Sequence, residues 1–227
     1  MAARFEIIHT MLGILMLQTN FPRPAGDIGH RATWRMPVIY RTVPGASPAR
    51  VVQGRAVGLL QPFIDGALAL VDEGASAIAI SCGFLALFQR ELSAAVPVPV
   101  WTSSLLKLSE LGDRRPGILT VDAQALSAEH LRAVGARTDL PIEGLAAGCS
   151  LQRTLLEDRA ELDGRQACQD VVAAALRLQQ RHPEIDSLVF ECTNLPPYAH
   201  AVRQATGLVV HDIATVLHER WQRLTST

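Results

Sequence analysis

Two periodicities alternate along this chain. Short, near-continuous apolar runs recur at 12–17, 38–43, 75–81, 98–101, 117–121, 142–146, 186–191 and 207–211. Runs of that length, rich in Val, Ile, Leu and Ala without polar alternation, predict strands buried on both faces. Between them lie segments with helical spacing. In 56–73, Leu59, Leu60, Phe63, Ile64, Ala67, Leu68 and Val71 fall on one face, and Gly74 ends the segment. Further helices are predicted over 84–94, 124–134, 163–180, 195–205 and 213–224, the third of these carrying Val171, Val172, Ala175 and Leu178 on its apolar face. Strands that alternate with helices predict an α/β class with parallel sheets covered on both sides. The alternation restarts near residue 105, around the linker Leu111 to Pro116, so two similar α/β lobes with a cleft between them are expected.

Composition narrows the picture. The 227 residues are 48% hydrophobic, 19% charged and 5% aromatic, which is enough for one substantial core or two small ones. The 21 basic and 22 acidic residues are intermixed, leaving a net charge of -1 and no electrostatic footprint for nucleic acid or an anionic membrane. The apolar stretch from Ile7 to Leu17 raises the question of a signal peptide. His9, Gly13 and the missing small-residue cleavage pattern argue against one, and the stretch is too short to span a bilayer. The ten or so residues before the first strand read as a tail or a short edge element. Four cysteines in a chain of this size, read without a secretory signal, predict a reduced, cytoplasmic protein.

Candidate chemistry sits at strand ends, where open α/β sheets bind ligands. Cys82 closes one apolar run and Cys192 another, and each precedes a segment read as helix. A helix N-terminus favours thiolate, so both thiols are candidate acid/base groups able to move a proton through a carbon centre from opposite sides. Cys149 and Cys168 read instead as small core residues. Gln18, Thr102, Ser103 and Thr120 also lie at strand ends, the last three either as helix caps or as ligand contacts. The loop from Asn20 to His30 is longer than a usual βα turn and is a candidate lid. Within it, Arg23 could meet a carboxylate, with Asp27 and His30 as further pocket candidates, although Gly, Pro and Asp also build turns with no other role. Asp212 is expected to cap the last helix beside a structural His211. Gly26-Asp-Ile-Gly29 lacks the third glycine of a dinucleotide fingerprint, and no phosphate-binding loop is present.

The motifs Ser81-Cys82-Gly83 and Glu191-Cys192-Thr193-Asn194-Leu195-Pro196, in this strand context, resemble those of the aspartate/glutamate racemase superfamily, which includes hydantoin racemases and arylmalonate decarboxylases. The resemblance runs from Gly13 to Ile213. It implies two pseudo-symmetric lobes, 1–104 plus 207–227 carrying Cys82 and 105–206 carrying Cys192, with one cysteine from each facing the interlobe cleft. It implies a racemase or epimerase that inverts a carbon next to a carboxylate or carbonyl, without metal, pyridoxal phosphate or other cofactor, and a homodimer. The N–H groups at Gly83-Phe84 and Thr193-Asn194 would then hold a small carboxylate substrate. Two departures bear on that substrate. Amino-acid racemases of this type carry Cys-Asn-Thr where this chain has Cys82-Gly83-Phe84, and Cys-Thr-Glu or Cys-Thr-His where it has Cys192-Thr193-Asn194. Free aspartate and glutamate are therefore not the expected substrates, and Phe84 points to a less polar one. A decarboxylase or lyase relying on Cys192, and a silent binding relative, are the alternatives.

Overall fold

The computed structural model describes residues 10–226; the tail or edge element expected before the first strand lies, apart from Thr10, outside the described residues. Strands β1 (Met11–Leu17), β2 (Val38–Val43), β3 (Ala75–Ile80) and β4 (Val100–Trp101) form one sheet in the order β2-β1-β3-β4. Strands β5 (Pro116–Thr120), β6 (Ile142–Gly144), β7 (Ser187–Phe190) and β8 (Val209–His211) form the second in the order β6-β5-β7-β8. Every pairing is parallel. The second order is the first advanced by four strands, so the repeat that residue identity conceals is plain in the topology. Cys82 and Cys192 each follow the third strand of their own sheet, which makes their positions equivalent.

Burial explains the layers. On β1, Leu15 and Leu17 face the side covered by helix α1 (Leu60–Asp72) through Phe63, Ala67 and Leu70. Leu12, Ile14 and Met16 face the other side, where they meet Ile213, Leu217 and Trp221 of the C-terminal helix, Ile213–Thr225. Each such side chain withdrawn from water contributes about 1.5–3 kcal/mol. Here the structure differs from the sequence reading of the first lobe. The last helix does return to it, but β8 hydrogen-bonds to β7 in the second sheet, Val210 lying beside Leu188. A strand reached from β7 through one short helix takes the adjacent edge, whereas the following helix is drawn to the bare face of β1.

Helix starts also differ. The segment read as helix from Ala56 instead turns through left-handed residues at Arg55, Ala56 and Gly58 before α1 begins. The segment after Cys82 is a 3-10 turn, Gly83–Phe88, followed by α2 (Gln89–Ala95). In the second lobe α3 spans Ala128–Ala133, and α4 (Ser150–Leu156) was not foreseen. The long helix is α5 (Gly164–Arg181), capped by the Asp163 side chain on the N–H groups of Arg165 and Gln166. After Cys192 come a 3-10 turn, Pro196–Tyr198, and α6 (Ala199–Thr206), and the C-terminal helix is α7. No described helix is long and apolar enough to cross a membrane.

Candidate active site

The ends of β3 and β7 bring both cysteines to one narrow interlobe cavity of about 30 Å³. Its walls are Cys82, Gly83 and Phe84 from the first lobe, Glu191 to Asn194 from the second, Phe21 and Arg23 from the long first loop, and Leu155 and Leu156 from α4. Hydrogen bonds across the lobes fix the arrangement. The Thr193 hydroxyl donates to the Ser81 carbonyl at 2.6 Å, and the Ser104 hydroxyl donates to the Phe190 carbonyl. Buried bonds of this kind contribute about 0.5–1.5 kcal/mol each and leave an unsatisfied group if one partner is removed.

A polar chain runs from one thiol into the first loop. The Cys192 thiol donates to Asn194 Oδ1 at 3.7 Å, and Asn194 Nδ2 donates to Asp27 Oδ2 at 2.6 Å. Asp27, 1% exposed, also accepts from Arg23 Nη1 at 2.8 Å and from the Gly29 N–H at 2.7 Å. Arg23 lies over the Phe21 ring, 4.6 Å from its centroid, and donates a second bond to Thr19. The loop is further pinned to the second lobe by Asp158, which accepts from the N–H groups of Asn20 at 2.6 Å and Phe21 at 3.2 Å. The first loop thus lies against both lobes, and Asp27 pairs with Arg23 within it.

Electrostatics depart from the sequence expectation. A helix dipole was expected to favour thiolate at each cysteine, but the turns that follow them are 3-10. Burial pushes the Cys82 thiol up, the charge on Glu191 adds to that, and the Phe84 N–H and the Arg23 guanidinium pull down. Cys192 is raised by burial, then by Glu191, while the Asn194 N–H pulls down and Asp27 opposes. The N–H groups two residues after each cysteine thus favour thiolate at both sites. Both thiols rest as neutral acids, and forming a thiolate requires a place for its proton.

The remaining candidates are placed as follows. Gln18 lies outside the cavity lining, its Oε1 accepting from the Gly45 N–H. Thr120 is buried and donates to Glu191 Oε2 at 2.6 Å. Thr102 donates to Gln89, Ser103 caps the turn that follows it, and Asp212 caps α7 by accepting from Thr215. His30 accepts from the Ala32 N–H, outside the cavity. The Phe84 ring is held edge-on by His130, centroids 5.5 Å apart. Glu191 itself went unnoticed in the sequence, although a carboxylate inside an apolar strand run directly before a candidate cysteine was its signal. No cluster of three metal-ligating side chains occurs among the described residues.

No family model matches the chain. A dimethylsulfoniopropionate lyase of Durusdinium sp. clade D is 29% identical over 226 residues, covering 91% of this chain and 72% of that protein. Dimethylsulfoniopropionate lyase 3 of Emiliania huxleyi (strain CCMP1516) is also 29% identical, and the chain spans 58% of its length. Among solved structures, unliganded arylmalonate decarboxylase superposes with a TM-score of 0.62 at 18% identity, covering 95% of this chain and 92% of that one. A putative Asp/Glu racemase from Yersinia pestis gives 0.57 at 12% identity, covering 91% and 95%. The chain thus shares the fold of arylmalonate decarboxylase and of the putative Asp/Glu racemase. Its sequence relatives by name are lyases, and its structural neighbours by name include a decarboxylase and a racemase.

Proposed function

We propose that this chain is an enzyme that removes the proton next to the carboxylate of a small substrate and eliminates a β-substituent, with dimethylsulfoniopropionate as the substrate. The observation that carries the reading is the pair of thiols facing one cavity from equivalent strand ends. One thiolate takes the α-proton, the C–H electron pair becomes the α–β double bond, and the β C–S bond breaks with its pair going to sulfur. Dimethyl sulfide leaves and acrylate remains; the thiol later returns its proton to solvent. No cofactor enters this scheme. The cavity of about 30 Å³ has room for only about two waters, so the first loop must move to admit the substrate; Arg23 matches its carboxylate once freed from Asp27, and the Phe84 ring suits an apolar, cationic sulfonium group. Because the curated relatives extend beyond this chain, the reaction is assigned to the fold they share. Four reduced thiols fit a reducing compartment such as the cytoplasm.

Retention of both thiols supports a second reading, a racemase or epimerase on the same scaffold, in which the opposite thiol reprotonates the carbanion and inverts the centre. One experiment separates them. The protein is incubated in heavy water with dimethylsulfoniopropionate and, separately, with both enantiomers of a panel of amino acids and hydantoins. Dimethyl sulfide and acrylate in equal amounts, lost in Cys82→Ala or Cys192→Ala, support elimination. Deuterium incorporation with inversion in the panel, without dimethyl sulfide, replaces it by racemisation. Neither product refutes both.

A further inference from the structure

Glu191 is the least explained group in the molecule. It directly follows β7, is 0% exposed, and has no ion-pair partner among the described residues. Its Oε2 accepts from Thr120, whereas Oε1 is buried with no hydrogen-bond partner. Oε1 lies directly behind the Cys82-Gly83 turn: a Cβ built on Gly83 would sit 2.4 Å from it. The residue lines the same cavity as both cysteines. An unpaired carboxyl oxygen in such a place costs stability.

We propose that Glu191 is the proton partner of the two thiols, its Oε1 taking the proton of a cysteine as the thiolate forms and returning it when the cycle ends. The inference rests on the acid/base reading of the thiols. In the step, the S–H bond breaks, its electron pair stays on sulfur, and an O–H bond forms on Glu191. One negative charge is present before and after, so no second charge is created in a desolvated cleft; the charge moves from behind Gly83 to a sulfur beside the substrate. Burial raises all three acids, the thiols further than the carboxyl, so the thiolate forms only transiently. Burial pushes the Glu191 carboxyl up to about 8, opposed by the Thr120 hydrogen bond, toward the range of a thiol. The other charged groups facing the thiols are Arg23 and Asp27 of the first loop, which pair with each other. The three acids titrate as one system, Glu191 giving up the first proton.

Glu191→Gln keeps the shape and the Thr120 bond but cannot accept a proton. The test needs no substrate. Infrared difference spectra recorded against pH should show a protonated carboxyl band in the wild type that disappears around pH 8 and is absent from Glu191→Gln. Alkylation of Cys82 by iodoacetamide, followed by mass spectrometry, should rise with pH in the wild type and level off around pH 8, where the Glu191 charge opposes the thiolate. In Glu191→Gln, which carries no such charge, alkylation should go on rising with pH and overtake the wild type above about pH 8. Thr120→Val, which removes the bond that lowers the carboxyl, should move the band to higher pH and serves as a second probe if Glu191→Gln folds poorly. A wild type with no such band, or a folded Glu191→Gln alkylated with the wild-type pH profile, overturns the proposal. If these titrations behave as expected while no substrate is turned over, the proton partnership stands and the reaction assigned above fails instead.

Discussion

Replacing Gly83 by alanine is the sharpest test of the site's geometry. Gly83 does not occupy a left-handed conformation, so glycine is not required for its φ. What excludes a side chain is the opposite lobe: a Cβ would lie 2.2 Å from the Glu191 carbonyl oxygen and 2.4 Å from its Oε1. Ordinary contact begins at 3.4 Å, so the two strand ends must part by roughly 1.2 Å, an overpacking change that costs about 1–3 kcal/mol. For a chain of this length that is a fall in Tm of about 2–12 °C. Activity should suffer more than stability. A displacement of about 1 Å between the thiols and the reacting carbon lowers kcat/KM by about a hundredfold. Truncating Glu191 in the same molecule should restore little, because the tighter contact is to backbone. The assay pairs thermal unfolding with turnover of dimethylsulfoniopropionate. A Gly83→Ala protein that melts and reacts like the wild type would show that the lobes do not meet at this point, and the account of Glu191 would fall with it.

Other substitutions probe separate parts of the structure. Asp158→Ala removes three hydrogen bonds to Asn20 and Phe21 and should raise KM several-fold with Tm lowered by only a few degrees, since the clasp is exposed; faster proteolysis within residues 19–30 would report the opened loop. Arg23→Ala should weaken substrate binding by about tenfold or more, and it leaves Asp27 buried without its cation, so a lower Tm should accompany the loss. Stability should depend on pH through Glu191: its folded value, raised from 4.5 to about 8, means the unfolded chain gives up the proton first. Stability should therefore be greatest in this respect below pH 4.5 and fall until about pH 8, by on the order of a few kcal/mol, and Glu191→Gln should flatten that slope in urea titrations. If the slope is the same in both proteins, Glu191 is not the group responsible.

The strands, most of the helices and the two cysteines are legible in the sequence because each depends on local periodicity or on its neighbours. A run such as Leu12 to Leu17 reports burial on both faces wherever it is placed, and a cysteine at the end of such a run reports the ligand-binding edge of a parallel sheet. Helix beginnings were read less well, since the left-handed turn at Arg55-Ala56 and the 3-10 turn after Cys82 depend on what packs around them. The sequence by itself determined the α/β class, the division into two lobes and the pair of thiols. Only the tertiary structure decided which sheet takes β8, that Arg23 is held by Asp27, that Thr193 ties the lobes at Ser81, and that Gly83 is glycine because Glu191 lies against it. Those facts join residues far apart in the chain, and contact between them is set by how the two sheets meet, a geometry that no local pattern of hydrophobic and polar positions encodes.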